Sequence, residues 1–299
     1  MPKIDTLIDD IQGMLTKLNS GEEIADADTI DSYIDIAVDN IRNALKSQLT
    51  PRSGDRKPKV IYASEAGKPC HRAVWYAITG ADREPLPPEV KVKFMQGDFL
   101  EELLALLSRL AGHEVTHEQE GVEIDLPKGW KIRGRMDYKI DGTMVDAKSA
   151  SPNSFKKFVD GSLIHNDGFG YMAQLGSYVM HEGETEHDAG FLAIDKVSCD
   201  IALFQPDTMD LMASIPDYEV LVEDLESPIG PDKEFDDEPW GSKGNRKLGF
   251  NCSYCDYKYT CWADANNGKG LRHFVYKTWP FDVYLTVTRD KPKVKEIKR

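Results

Sequence analysis

Residues 132–148 read IRGRMDYKIDGTMVDAK, two apolar-containing runs that are joined by Asp141 and Gly142. An Asp-Gly pair in this setting predicts a two-residue β-hairpin, because glycine tolerates the positive φ of a type I′ turn. The register set by that turn pairs Asp137 directly with Asp146. Directly opposed residues share one face of the sheet, with Cβ atoms about 4.5–5.5 Å apart. The sequence therefore predicts two adjacent carboxylates on this strand pair.

Lys148 lies two residues beyond Asp146, so its side chain points to the same face of the strand. Two close carboxylates repel each other as anions, and a hard cation such as Mg²⁺ or Mn²⁺ relieves that repulsion. Such a metal activates water, while a nearby ammonium orients the water or stabilises charge in the transition state. The alternative is an exposed hairpin face with solvated Asp and Lys side chains.

Apolar periodicity outside the hairpin indicates an α/β protein with a mixed central β-sheet flanked by helices. Residues 1–55 are predicted to form an N-terminal helical appendage, and 56–299 a domain that ends in a cysteine-rich segment. We expect a helical hairpin from 4–18 and 30–45, further helices at 70–79, 92–110 and 168–181, strands at 122–126, 132–140, 143–148, 189–194 and 200–204, and a loop or partly disordered stretch over 226–245.

The chain has 299 residues and a net charge of −14, which argues against nucleic acid as a partner without excluding it. The charge is uneven, because 218–237 is acidic while 289–299 is basic, and a local basic path is enough to hold phosphates. The sequence contains no apolar run near the 18 residues of a membrane span, and its start lacks the apolar core of a signal peptide. These features predict a cytoplasmic location.

Four of the five cysteines form a spacing pattern: Cys252, Cys255 and Cys261 follow C-x2-C-x5-C, and Cys70 lies far upstream. Clustered cysteines in a reducing compartment more often bind metal than form disulfides. Four thiolates can hold a [4Fe–4S] cluster or a structural Zn²⁺, although zinc ribbons more often contain two C-x2-C pairs. Four ordinary buried thiols are the third interpretation. Cys199 has no place in the pattern.

The order of the hairpin residues resembles a known family. Asp137 followed by Asp146-Ala-Lys148 is similar to the D…(D/E)xK signature of the PD-(D/E)xK nucleases. Gly134-Arg-Met-Asp137 resembles the GxxD form of the RecB-like and Cas4-like branch.

The branch also carries an acidic or histidine ligand on an upstream helix, in a G-x-x-x-(H/E) setting. Gly97-Asp-Phe-Leu-Glu101 resembles this motif, so the resemblance implies that Glu101 is a ligand. Glu102 would face away by about 100° on a helix and is predicted to be a solvated residue. Asp98, one turn earlier, is a weaker alternative to Glu101.

Two further motifs carry the same resemblance. Gln174-Leu-Gly-Ser-Tyr178 is similar to the QxxxY motif of this branch, and residues at i and i+4 share a helical face. The arrangement of Cys70 before the nuclease motifs and C-x2-C-x5-C after them resembles the branch members in which four cysteines bind a [4Fe–4S] cluster.

The resemblance implies a restriction-endonuclease-like core and a Mg²⁺- or Mn²⁺-dependent DNA nuclease, foremost an exonuclease, acting in recombination, repair or DNA degradation in a bacterial cell or a phage-infected host. It implies single-stranded DNA or duplex ends as partners, together with recombination or replication proteins. The implied metal ligands are Glu101, Asp137, Asp146 and Ala147. Lys148 is the implied catalytic ammonium, supported by Gln174 and Tyr178. A structure-specific endonuclease with the same site and a non-catalytic DNA-binding module with a structural cluster are the alternatives.

Overall fold

The computed structural model describes residues 3–51, 56–182, 189–278 and 281–298. Its helices are α1 (Leu7–Asn19), α2 (Ala27–Leu49), α3 (Ala63–Ala66), α4 (His71–Thr79), α5 (Pro88–Leu110), α6 (Pro152–Val159), α7 (Tyr171–His181), α8 (Thr208–Ser214), α9 (Tyr218–Glu226), α10 (Phe250–Ser253), α11 (Lys258–Cys261) and α12 (Ala265–Gly268). Its strands are β1 (Val60–Tyr62), β2 (Val115–Thr116), β3 (Gly121–Asp125), β4 (Lys131–Arg135), β5 (Tyr138–Ile140), β6 (Thr143–Ala150), β7 (Ala189–Asp195), β8 (Ile201–Phe204), β9 (Asp237–Trp240), β10 (Asn245–Leu248), β11 (Arg272–Val275), β12 (Asp282–Val287) and β13 (Lys295–Ile297). The predicted α/β class is confirmed.

Packing divides the chain into two compact units. Unit 1 comprises Met1–Gly67 and Pro87–Pro216, and unit 2 comprises Lys68–Leu86 and Asp217–Arg299. The predicted limits of 1–55 and 56–299 stay a prediction, and residues 52–55 lie outside the described part of the chain. No helix of the described residues is long and apolar enough to cross a membrane.

The larger sheet of unit 1 has the strand order β2-β5-β6-β7-β8. The β6–β7 pair is parallel and the other pairs are antiparallel, so the sheet is mixed. Helices α5, α6 and α7 pack against its strands. A second sheet of three strands has the order β1-β4-β3. The predicted mixed sheet with flanking helices is therefore present in unit 1.

The hairpin has the predicted turn and register. Asp141 and Gly142 have φ values of 50° and 84°, as a type I′ turn requires. Ile140 pairs with Thr143, and Tyr138 pairs with Val145. The local sequence is enough to set this register, because the turn chemistry and the alternation of side chains agree.

The prediction of a single strand over 132–140 is wrong. β4 belongs to the three-stranded sheet, β5 belongs to the five-stranded sheet, and Met136 and Asp137 lie between them. At the interruption, the Met136 N–H donates to the Glu120 carbonyl and the Asp137 carbonyl accepts from the Gln119 N–H, so the segment before β3 replaces strand partners there. A tertiary contact thus divides an apolar run that looks continuous in the sequence.

The two predicted N-terminal helices are present as α1 and α2. Leu7 and Ile11 of α1 are buried in one cluster with Leu104 of α5, Tyr138 and Leu192. Helix α2 packs against α5. Helix α1 buries most of its apolar face, whereas α2 has Ala37 as its buried residue and leaves Ile34 and Val38 exposed. The apolar spacing thus predicts both helices, but it does not predict how much of each face is covered.

Unit 2 contains a five-stranded antiparallel sheet in the order β13-β11-β12-β10-β9. The prediction of a loop over 226–245 is wrong in part, because β9 lies within it. Strand β9 has the sequence Asp-Glu-Pro-Trp, a composition of low β propensity. Pairing with β10 holds it, and Arg246 of β10 bonds the Asp237 carboxylate. Long-range pairing therefore overrides local preference in this strand.

Candidate active site

The structure brings the predicted acidic residues of unit 1 near one another. Asp137 precedes β5 and is partly buried, and Asp146 lies on β6 and is buried. Burial, and then the negative charge of Asp146, raises the pKa of Asp137 to about 7. The backbone N–H of Ala147 donates to Asp137 Oδ2 at 2.8 Å and opposes that rise. The two carboxylates of the hairpin therefore repel each other across one small site.

Asp146 and Lys148 form an ion pair through Oδ2 and Nζ. Only 1% of the Asp146 surface is exposed, and its Oδ1 has no hydrogen-bond partner within the described residues. Burial raises the pKa of Asp146, although Lys148 opposes the change. Burial disfavours the charged form of Lys148, but Asp146 and Asp137 outweigh it and hold the pKa of Lys148 above its ordinary value. Lys148 is therefore charged.

Glu101 lies on α5 and faces the same group. Burial, followed by the charges of Asp137 and Glu102, raises the pKa of Glu101 to about 9. Asp146 adds to this rise and Lys148 opposes it. The charges of Asp137 and Asp146 act on Glu101, so the residue that the resemblance implies as a ligand lies within their electrostatic range. Its role as a ligand stays a prediction.

Glu102 does not match its predicted position in solvent. Only 7% of its surface is exposed, and Asn40 Nδ2 donates to Glu102 Oε2 at 3.0 Å. The cause is the packing of α2 along α5, which the spacing of residues on α5 alone does not reveal. Asp98, the weaker alternative to Glu101, is half-buried, and burial raises its pKa while a hydrogen bond to Gln48 lowers it.

Gln174 and Tyr178 share one face of α7, as predicted. Gln174 Nε2 donates to the Tyr178 hydroxyl at 3.0 Å. Burial, and then the charge of Asp146, raises the pKa of Tyr178 to about 12, so the hydroxyl is protonated near neutral pH. Gly134 permits this approach, since a Cβ there would lie 2.9 Å from the Tyr178 hydroxyl and 2.7 Å from the Ala63 Cβ. The glycine of the GxxD motif thus has a packing role.

Two residues beside this group were missed by the sequence interpretation. Gln119 donates through Nε2 to Glu101 Oε1 at 2.6 Å, and its backbone adopts a φ of 55°. No sequence signal predicts that contact. Tyr171 has its ring centroid 5.0 Å from Lys148 Nζ. The sequence does contain a signal for Tyr171, because 171, 174 and 178 follow the i, i+3, i+7 spacing of one helical face.

The chemistry of the donor set fits a hard divalent cation. Three carboxyls have pKa values raised by burial, and those of Asp137 and Glu101 are raised further by their neighbours' negative charge. A cation bound by this group would reduce the repulsion between the carboxylates. It would also give Asp146 Oδ1 a partner, which that oxygen lacks within the described residues. Within the described ranges, no group of three or more His, Cys, Asp or Glu side chains, the four cysteines included, is arranged so that it could hold a metal ion. Glu101, Asp137 and Asp146 supply the carboxylates that would have to come together around such a cation.

Unit 2 contains the four cysteines of the spacing pattern. Cys70 precedes α4, Cys252 lies in α10, Cys255 follows it, and Cys261 ends α11. Burial raises the pKa of Cys252 to about 12, and the other three thiols add to this rise. The thiolates of Cys70, Cys255 and Cys261 are thus near enough to Cys252 to raise its pKa, although Cys70 is distant from it in the sequence. Cys199 lies in unit 1 and is exposed.

The surroundings of these thiols contain positive charge. Burial raises the pKa of Cys261, whereas the charges of Arg72 and Lys233 lower it. Burial also raises the pKa of Cys255, to about 11, and the Tyr257 N–H donates to Cys255 Sγ at 3.4 Å. Nearby cations and N–H donors favour thiolates, which are the form that binds iron or zinc.

No protein-family model matches this chain, and no curated protein matches it. A crystal structure of SSO0001 superposes with a TM-score of 0.42 at 17% sequence identity, over 76% of this chain and 95% of that chain. A likeness of this degree carries no argument about fold family or function.

Proposed function

We propose that this protein is a Mg²⁺- or Mn²⁺-dependent DNA nuclease of the PD-(D/E)xK type, with a restriction-endonuclease-like core. The observation that supports the proposal best is the group of Glu101, Asp137 and Asp146 with the charged Lys148 in one buried site of unit 1. Raised carboxyl pKa values with a specific charge partner are typical of functional sites. The mixed sheet that carries this hairpin supports the proposed core.

A bound divalent metal would supply Lewis-acid stabilisation of the phosphate and activation of a water molecule. Glu101, Asp137 and Asp146 would hold it, with Ala147 as the fourth proposed ligand. The Lys148 ammonium would stabilise the negative charge that develops on the scissile phosphate. Tyr178 accepts from Gln174, so its own hydroxyl hydrogen remains to be donated to a phosphate oxygen or to the attacking water.

The four cysteines would hold a [4Fe–4S] cluster that joins segments of unit 2, with a structural Zn²⁺ as the alternative. Their shared electrostatic influence and the nearby Arg72 and Lys233 support this proposal. The cluster is proposed as a structural element, since the cysteines belong to unit 2 and the carboxylates to unit 1. DNA strands and duplex ends are the proposed substrates and the cytoplasm is the proposed location.

Cleavage assays on the full chain test the proposal. Linear and covalently closed circular DNA are incubated with Mg²⁺, Mn²⁺, Ca²⁺ or EDTA, and products are separated by size. We expect cleavage of linear DNA with Mg²⁺ or Mn²⁺, none in EDTA, and binding without cleavage in Ca²⁺ because its looser coordination positions water poorly. Cleavage of the circle would replace the exonuclease with an endonuclease. Binding without cleavage under every condition would leave only a DNA-binding module.

A further inference from the structure

The segment between β2 and β3 lies opposite the break between β4 and β5. The residue pairs on either side of it are Thr116 with Lys139 and Gly121 with Arg135. Between these pairs, 117–120 on one chain segment faces 136–138 on the other, so one side has one residue more. This is the residue count of a β-bulge, a feature that redirects side chains and is frequent beside active sites.

The backbone of this segment is strained at two positions. His117 and Gln119 both have a φ of 55°, in the left-handed region that residues with a Cβ rarely adopt. Such conformations persist where surrounding contacts compensate for their cost, and they cluster at functional sites. The described partners of His117 are its near neighbours Thr116 and Glu120. Gln119, in contrast, contacts two of the proposed metal ligands.

Gln119 makes these contacts through its side chain and its backbone. Its Nε2 donates to Glu101 Oε1 at 2.6 Å, and its backbone N–H donates to the Asp137 carbonyl at 2.9 Å. The Asp137 carboxylate is held separately by the Ala147 N–H, at 2.8 Å. One residue thus connects the proposed ligand on α5 to the proposed ligand that precedes β5.

The residue before Gln119 anchors the segment to two helices. Glu118 forms an ion pair with Arg109 of α5, and Glu118 Oε2 accepts from Asn40 Nδ2 of α2 at 2.9 Å. These contacts compensate for the strained backbone beside them. The amide of Gln119 therefore reaches Glu101 from a fixed backbone position, and it loses little further freedom in holding that carboxylate.

We propose that Gln119 is a positioning residue of the candidate active site, whose amide restricts the Glu101 carboxylate so that a divalent cation can bind it together with Asp137. The inference rests on the proposed nuclease function and deepens it, because it assigns the group that orients one of the ligands. Loss of such a partner typically lowers metal affinity or activity by about 10- to 100-fold. Gln119 acts through Glu101 and needs no contact with the cation or with DNA.

Mn²⁺ binding separates this role from a structural one. Electron paramagnetic resonance of free Mn²⁺ gives the Kd of the full chain without DNA, and thermal unfolding in EDTA gives the metal-free Tm. Gln119→Gly removes the amide and relieves the backbone strain, and Gln119→Asn keeps an amide that is one methylene shorter. His117→Gly is the matched control, because it relieves the same φ of 55° at a residue whose described partners are Thr116 and Glu120.

We expect Gln119→Gly and Gln119→Asn each to raise the Kd for Mn²⁺ by about 10- to 100-fold. The metal-free Tm of Gln119→Gly should stay within about 3 °C of the parent value, because the relieved strain offsets the lost hydrogen bond. His117→Gly should bind Mn²⁺ as the parent does. In a Glu101→Gln background, Gln119→Gly should cause no further loss of affinity, since it acts through that carboxylate.

Three results would overturn the inference while leaving the nuclease proposal in place. The first is a parent protein that binds Mn²⁺ and cleaves DNA together with Gln119 variants whose Kd is unchanged or lower. The second is an equal loss of affinity in Gln119→Gly and His117→Gly, since the backbone of the segment rather than the amide would then matter. The third is a loss that persists in full in the Glu101→Gln background. A parent protein that neither binds Mn²⁺ nor cleaves DNA would refute the nuclease proposal, and this inference with it.

Discussion

The carboxyls of unit 1 and the four thiols of unit 2 are acids whose pKa values are raised by partial or complete burial. In unit 1, Asp137 and Asp146 come from one hairpin, and Lys148 from the same strand balances their charge. In unit 2, Cys70 is separated by 182 residues from Cys252 (252 − 70), and the opposing charges come from Arg72 and Lys233.

The two groups differ in how far apart their residues lie in the sequence. The carboxylate pair is assembled by a turn, so its geometry forms with the hairpin. Under the proposed function, its charge holds the catalytic metal. The four thiols come from segments far apart in the sequence, so a metal bound by all of them would restrict the unfolded chain and add to stability. We therefore expect changes in unit 1 to affect chemistry first, and changes at the cysteines to affect stability first.

The largest expected effect is on cleavage. Asp146→Asn should lower kcat by about 10³-fold or more, because it removes a metal ligand and the partner that positions Lys148. Stability in metal-free buffer should not fall greatly, since the change also removes a charge that repels Asp137. Initial rates in Mg²⁺ and thermal unfolding measure the two effects. Asp31→Asn on the exposed side of α2 is the control. Near-native cleavage by Asp146→Asn would show that the hairpin carboxylates do not take part in catalysis.

The second effect is on unit 2. Protein purified without oxygen should be brown from iron–thiolate absorption, and Cys252→Ser should bleach it and lower Tm by on the order of 10 °C. Iron and zinc analysis, visible absorption and calorimetry measure these changes. Cys199→Ser should keep both colour and Tm, because this thiol is exposed and lies in unit 1.

Two results would contradict that expectation in different ways. A colourless protein with one zinc per chain would replace the cluster with a zinc site. If the parent protein holds neither iron nor zinc and Cys252→Ser is as stable as the parent, the four cysteines are ordinary thiols without a bound metal.

The third expected effect is on the stability of unit 1, and it tests the packing around Gly134 without changing any charge. Gly134→Ala should lower the free energy of unfolding by about 1–3 kcal/mol, because its Cβ would overlap the Ala63 Cβ and the Tyr178 hydroxyl. Gly121→Ala on the paired strand β3 meets no atom within 4 Å and should change stability by less than about 0.5 kcal/mol. Denaturant unfolding of both variants gives the comparison, and equal values would show that the glycine is not needed for the approach of Tyr178.

The smallest effect is the dependence of metal-free stability on pH. The pKa of Glu101 is raised to about 9 and that of Asp137 to about 7, so folding favours their protonated forms. This contribution is complete at pH values below the ordinary carboxyl range and is lost as pH rises through 7 and then 9. Tm in EDTA should therefore fall from about pH 5 to pH 9.

Mg²⁺ should reverse that decline, since it replaces the protons. Its apparent affinity should rise by about tenfold per pH unit between pH 7 and 9, where one proton leaves Glu101. Glu101→Gln should flatten the upper part of the Tm curve in EDTA. A parent protein whose metal-free Tm is constant over this range would show that the carboxyls are not coupled in the way the structure indicates.

The local sequence was sufficient for the parts of the fold that depend on neighbouring residues. Asp141-Gly142 dictates a type I′ turn, and the turn dictates which residues face each other across β5 and β6. Helices α1, α2, α5 and α7 follow from apolar spacing in the same way. The nearness of Asp137 to Asp146 was predictable for this reason.

Tertiary structure alone decided the rest. The break between β4 and β5, the burial of Glu102 beneath α2, the contact of Gln119 with Glu101 and the strand β9 all depend on segments distant in sequence. Periodicity describes which face of an element is apolar, but it does not specify the partner that covers that face. Long-range packing and strand pairing supply the partner, and with it the burial and charge that set the pKa values of the site.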